Sequence, residues 1–141
     1  MSYDDNNVFA KIMRGELPSE QVYEDDMTLA LMDIMPRSDG HVLVIPKDPA
    51  RTILDATPEQ LDACIRTVQK LSRAVMKAFD ADGVTLTQAN EAAGGQEVFH
   101  LHFHVLPRHE GVKLRKPASG MEKPEVLKAN ADRIRAALAN G

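Results

Sequence analysis

At 141 residues the chain is sized for one domain, long enough to bury roughly two-thirds of its unfolded surface around a single core. A composition 43% apolar and 27% charged argues against disorder, and no apolar run approaches the length of a membrane span. A formal charge of -4 and a pI near 5.7 exclude general nucleic-acid binding through a basic surface.

The start, Met1 to Asn7, is acidic and polar and lacks the cationic and apolar regions of a secretory signal. It is expected to be a flexible lead-in to a protein of the reducing cytoplasm, where the lone Cys64 stays an unpaired, buried side chain. Val8, Phe9, Ile12 and Met13 follow at helical spacing and Gly15 ends that segment, which predicts a short helix from Val8 to Arg14. Val22–Glu24 and Thr28–Asp33 read as strands joined by an acidic turn, and His41–Ile45 as a β-branched, apolar strand stopped by Pro46.

Thr57-Pro58-Glu59-Gln60 is a helix start with a threonine cap, proline at the first helical position and Gln60 placed to complete a capping box. The helix is expected to reach Phe79, burying Leu61, Cys64, Ile65, Val68, Leu71, Val75, Met76 and Phe79. A strand from Val84 to Asn90 and a glycine-rich loop from Asn90 to Gln96 lead to a final strand that Pro107 ends. Residues 110–141 read as a polar loop and a C-terminal helix opened by Pro124. This order predicts one α+β domain over residues 1–141, a five-stranded antiparallel sheet with a long helix across one face.

Three histidines alternate with apolar residues in His100-Leu101-His102-Phe103-His104-Val105-Leu106. In a strand this places Leu101, Phe103 and Val105 on one side and the three imidazoles on the other. Imidazole titrates, attacks and ligates near neutral pH, so the row reads as a site rather than as a polar strand face. A zinc site is the rival reading, with His41 supplying the third ligand. No cysteine pair, His-Glu-x-x-His helix or acidic cluster accompanies it.

Gln96-x-Val98-x-His100-Leu101-His102-Phe103-His104-Val105-Leu106 resembles the signature of the histidine-triad (HIT) family. Gly40-His41-x-Leu43-Val44-Ile45-Pro46-Lys47, Asp33-Ile34 and Val8-Phe9-x-x-Ile12 are similar to its nucleotide-binding, hint-type branch. The resemblance implies the HIT-like fold and attack by the central histidine, His102, on the α-phosphorus of a nucleoside monophosphate derivative such as a phosphoramidate or acyl adenylate. A covalent nucleotidyl-histidine would follow. His100 and His104 would flank the phosphate and His41 would complete a hydrogen-bond chain that fixes tautomers. Asp33 would accept the ribose hydroxyls, and Val8, Phe9, Ile12, Leu31 and Ile34 would line a purine pocket beside Val98.

Paired glycines let backbone N–H groups approach an anion, which makes the loop with Gly95 a phosphate cradle and Asn90 and Gln96 its side-chain donors. Some bacterial members carry an amino-terminal zinc site built partly from cysteines, whereas Asn7 and Ala10 stand at such positions here, so neither metal nor cofactor is expected. Glu97 replaces a serine that aids the leaving group in eukaryotic members. The dinucleoside polyphosphate hydrolases share the histidine strand and the Pro107-Arg108 ending. A nucleotide-binding regulatory module with incidental turnover is the alternative of another class. The wide apolar helix face and an open sheet edge predict a symmetric homodimer, and the resemblance implies one continuous ten-stranded sheet.

Overall fold

The computed structural model describes residues 2–141; Met1 lies outside them. Helix α1 (Val8–Met13) is followed by strands β1 (Gln21–Glu24), β2 (Thr28–Met32) and β3 (Val42–Pro46), and then by the long helix α2 (Pro58–Ala78). Strand β4 (Gly83–Thr87), a single 3-10 turn at Ala92–Gly94, strand β5 (Phe103–Arg108) and helix α3 (Pro124–Ala139) complete the chain. The sheet order is β1-β2-β3-β5-β4, with every neighbour antiparallel. The last strand therefore inserts between β3 and β4, and the connection that makes room for it is α2.

Register divides the residues between two faces. Val42 lies opposite Val105 and Val44 opposite Phe103, and this face packs under α2 and α3 in the larger core with Val68, Leu71 and Val75. Leu43 lies opposite His104, on the face that carries Leu29, Leu31 and Ile45 and is covered by Phe9 and Ile12 of α1. The predicted capping box of α2 is present: Gln60 N–H donates to Thr57 Oγ1 at 3.1 Å and Thr57 N–H to Gln60 Oε1 at 2.8 Å.

Several boundaries differ from the sequence expectation. The histidine strand begins at Phe103, because Phe103 is the last residue on it that pairs with β3. His100 to His102 lie outside the ladder, where Leu101 N–H donates to Ala50 O at 2.8 Å instead. Pro107 does not end the strand. The β3–β5 ladder stops at the Val42–Val105 pair, so no β3 N–H or C=O is left facing a proline that has no donor, and β5 continues along β4 to Arg108. Strand β4 stops at Thr87, not Asn90. On α2, Ile65 and Met76 are 51% and 36% exposed rather than buried. The lead-in is also docked: Asn7 Oδ1 caps α1 by accepting from Ala10 N–H at 2.9 Å, and Arg51 donates to Ser2 O.

Candidate active site

The four predicted histidines converge, because β3 and β5 are neighbours and the Leu43–His104 pairing sets His41 beside His104. Ring centroids of His41 and His104 are 5.1 Å apart, and those of His102 and His104 are 5.0 Å apart. Phe9 of α1 stands edge-on to His102 at 5.0 Å, so the smaller core walls the site.

Backbone groups decide which nitrogen of each ring carries its proton. Arg37 N–H donates to His41 Nδ1 at 3.1 Å, so the neutral ring must be protonated at Nε2. His41 Nε2–H then donates to His104 Nδ1, 2.9 Å away, and lies 3.5 Å from Asp33 Oδ2. His104 is left with its proton on Nε2 and acts as a donor toward the open side of the site. His102 Nδ1 lies 2.7 Å from the carbonyl oxygen of His100, which only accepts. The proton therefore sits on Nδ1, and His102 Nε2 keeps a free lone pair, with no partner among the described residues.

His100, expected to flank the phosphate, has both ring nitrogens engaged within the protein. It is fully buried, its Nε2–H donates to Pro46 O at 2.8 Å, and its Nδ1 is 2.6 Å from the hydroxyl of Tyr3. The cause is coverage: the amino-terminal segment and α1 close over the end of the row that a strand-face reading leaves open. Tyr3 is a site residue without a signal in the sequence, since its partner is 97 positions away.

Burial moves all four imidazoles the same way. His41 is pushed down to about 3 by desolvation, with the neighbouring imidazoles and Arg37 adding to it, and His104 to about 4. His100 and His102 are lowered too, chiefly by burial, and at His102 the charge of Glu97 works in the opposite direction. The site is thus a set of neutral imidazoles at pH 7. Asp33 is raised by burial, opposed by the N–H of Met35 on its Oδ1 and assisted by Glu97.

Asp33, His41 and His104 offer ligand atoms within 4.8 Å of one another, which is the spacing a metal ion needs. The donor set does not fit one. A metal would take the lone pair of His41 Nε2, forcing that proton onto Nδ1, directly against the Arg37 N–H that points at it. His41 Nε2–H instead serves both acceptors, Asp33 and His104.

The glycine-rich loop is built differently from its expected use as a cradle. Gly95 adopts φ +98°, but its N–H and those of Gly94 and Gln96 donate to the carbonyls of Ala92 and Glu91, closing the 3-10 turn on itself. The Gln96 amide braces the loop, accepting from Glu91 N–H and donating to Arg51 O and Val98 O. Asn90 accepts from Ile53 N–H and pairs its amide with Gln88. Neither presents an unused acceptor-donor pair to a ligand. Arg51, which the sequence reading passed over, holds Glu91 through two nitrogens and stacks on Phe99. Among the described residues the amides of Glu97 and Val98 have no partner, nor does the exposed Glu97 side chain.

The predicted base-pocket residues divide. Phe9, Ile12 and Leu31 are buried in the smaller core, against which Val98 packs, whereas Val8 and Ile34 are exposed. Asp33 is anchored beside them by its own N–H on His41 O at 3.0 Å.

Comparison with known proteins places this arrangement. The solved structure of a Hit-like protein from Bartonella henselae superposes with a TM-score of 0.91 at 54% identity, over 96% of this chain and 99% of that one. A zinc-bound histidine triad family protein from Mycobacterium smegmatis is 35% identical with a TM-score of 0.85, over 96% of this chain and 94% of its own. Adenylylsulfatase HINT3 of Arabidopsis thaliana is 44% identical over 103 residues, 73% of this chain, which span only about half (52%) of the plant protein. The HIT domain model matches residues 14–111, from the end of α1 through the histidine strand. The chain belongs to the HIT domain family.

Proposed function

We propose that the protein hydrolyses nucleoside monophosphate derivatives, with a purine nucleoside and a phosphoramidate or acyl-phosphate linkage, through a nucleotidyl intermediate on His102. The single observation that supports this most is the fixed tautomer of His102. The His100 carbonyl holds the proton on Nδ1, and the unpartnered Nε2 is a nucleophile that needs no prior deprotonation.

In the first step Nε2 forms a bond to the α-phosphorus as the bond to the leaving group breaks, the departing atom keeping the electron pair and taking a proton from solvent. In the second step water adds to phosphorus, the phosphorus–nitrogen bond breaks and the pair returns to Nε2. The net reaction is hydrolysis: OH of water joins the nucleotidyl group to give the nucleoside monophosphate, and H goes to the leaving group. His104 Nε2–H, aimed outward by the His41 relay, would hold a non-bridging phosphoryl oxygen, as would the free amides of Glu97 and Val98. Asp33 would accept the ribose diol, and Val8, Ile34 and Val98 would offer apolar surface to the base.

The test is a panel of an adenosine 5′-phosphoramidate, an acyl adenylate, adenylyl sulfate and a diadenosine polyphosphate, assayed with wild type and His102→Ala. The first two are expected to be the best substrates. His102→Ala is expected to abolish turnover while nucleoside monophosphate affinity stays within about tenfold, since the attacking atom is lost but few ground-state contacts are. Best turnover of the diadenosine polyphosphate would move the assignment to the dinucleoside polyphosphate hydrolases. Substantial turnover by His102→Ala would remove the nucleophile assignment. Dialysis against a chelator is expected to leave the rate unchanged; a loss that zinc alone restores would reinstate the metal reading.

A further inference from the structure

Tyr3 lies five residues before the start of α1, in a segment with no hydrophobic periodicity, yet it ends on the catalytic strand's lead-in. Asn7 is bonded to three groups: its Oδ1 caps α1 on Ala10 N–H, and its Nδ2 donates to the Tyr3 oxygen and to Asp4 O, each at 2.9 Å. The tyrosine ring stands edge-on to His100, with centroids 5.5 Å apart, and its hydroxyl is 2.6 Å from His100 Nδ1.

Every bond along this line has one allowed direction. Pro46 O only accepts, so His100 Nε2 carries the proton and His100 Nδ1 is a lone pair. The Tyr3 hydroxyl must therefore donate to it, and the Tyr3 oxygen is free to accept the Asn7 amide. Burial raises the Tyr3 hydroxyl above its ordinary range, which keeps the donor proton in place. His100 is fully buried, so no solvent substitutes for Tyr3 at Nδ1. With both nitrogens of His100 pinned, its backbone is held as well, and the carbonyl of that same residue orients His102 Nδ1–H at 2.7 Å.

We propose that Tyr3 is a positioning residue for the nucleophile: the line Asn7–Tyr3–His100 fixes the carbonyl that sets the tautomer and aim of His102. The inference rests on the reading of His102 as nucleophile. Tyr3 acts through His100, so its loss is expected to act on the chemical step more than on binding. Without the hydroxyl, His100 Nδ1 is a buried acceptor lacking a donor, and the ring either gains a proton or turns toward water. A charged or turned His100 lowers the proton affinity of His102 and loosens its aim.

The experiment uses the full chain and two variants. Tyr3→Phe removes only the hydroxyl. Asn7→Asp keeps an equally good cap for α1 while replacing the amide donor by a carboxylate that draws the Tyr3 proton away from His100. Long-range 1H–15N correlation of the imidazoles, the kcat and KM for an adenosine 5′-phosphoramidate, the pH profile and the thermal midpoint are read for each.

Both variants are expected to move the His100 Nδ1 resonance and to lower kcat about tenfold with KM within about twofold, the loss of roughly one buried hydrogen bond. In Tyr3→Phe the acid limb of kcat is expected to shift to higher pH, as His100 now protonates more readily. Unchanged His100 and His102 resonances, or wild-type kcat, in both variants would overturn the proposal. So would a rate loss that tracks the thermal midpoint and leaves the acid limb unmoved. If the wild type turns over no phosphoramidate, the functional reading fails, and the His102 tautomer in the two variants alone decides the wiring.

Discussion

In the histidine row the backbone decides which nitrogen His41 and His102 expose. Arg37 N–H on His41 and the His100 carbonyl on His102 are fixed dipoles, and they select an outward donor at His104 and an outward lone pair at His102. Depressed proton affinities carry a stability consequence. A buried histidine whose folded value lies below the unfolded value near 6.5 favours the folded state fully above pH 6.5, and this contribution is lost as pH falls toward the folded value. With His41 near 3 and His104 near 4, the thermal midpoint is expected to fall steadily between pH 6.5 and 4. Replacing His41→Asn should make that decline shallower in pH-dependent melting curves; an identical slope would show that these imidazoles are not neutral in the fold. Glu97 gives a second expectation. Its charge raises His102, so Glu97→Gln should move the acid limb of activity to lower pH, and a shift upward would contradict the influence of that carboxylate on His102.

The elements hold the site through connections that local signals only partly announce. Gly40 ends the turn that delivers His41 to β3, with φ +89°, and an added Cβ would lie 2.3 Å from the ring of Phe79 at the end of α2. Gly40→Ala is expected to destabilise the fold by about 2 to 4 kcal/mol, from a strained positive φ plus overpacking, measured by urea denaturation. A loss below about 1 kcal/mol would mean that Phe79 swings away at little cost. The helix start at Thr57 was readable residue by residue, since a capping box is a local device whose partners are three positions apart. The histidine strand was readable as a face but not as a length. Alternation says which side a residue takes; only the partner strand says where hydrogen bonding begins, and the chain parts from β3 before Phe103 although β3 itself continues to Pro46.

At the level of the molecule the two sheet edges are treated differently. Along β1, Arg135 of α3 donates from two nitrogens to Gln21 O, which covers part of that edge. Strand β4 carries no such cover among the described residues; its Leu86 is 50% exposed and Ile65 of α2 51%. An uncovered edge with apolar flanks invites pairing with a second copy. A symmetric homodimer through β4 is the expected outcome, with sedimentation at micromolar concentration reporting twice the 15.5 kDa chain mass. Leu86→Lys should shift that equilibrium toward monomer, and a wild type that sediments as monomer would count against the dimer. No helix is long and apolar enough to cross a membrane among the described residues.

The sequence by itself determined the α+β class, the order of elements, the capped central helix and the histidines that meet, because periodicity, turn chemistry and caps act over a few neighbouring residues. It also placed Leu101 and Val105 in the interior, where both are fully buried. Tertiary structure alone decided which histidine is free. His100 and His102 look alike in the strand pattern, yet one is sealed by Tyr3 and Pro46 and the other keeps its Nε2 open. It also engaged the Gln96 amide in bracing the loop and set the amide of Arg37 against metal binding at His41. These outcomes depend on hydrogen bonds between residues tens of positions apart, whose directions are fixed only when the chain has closed and each buried donor must find an acceptor.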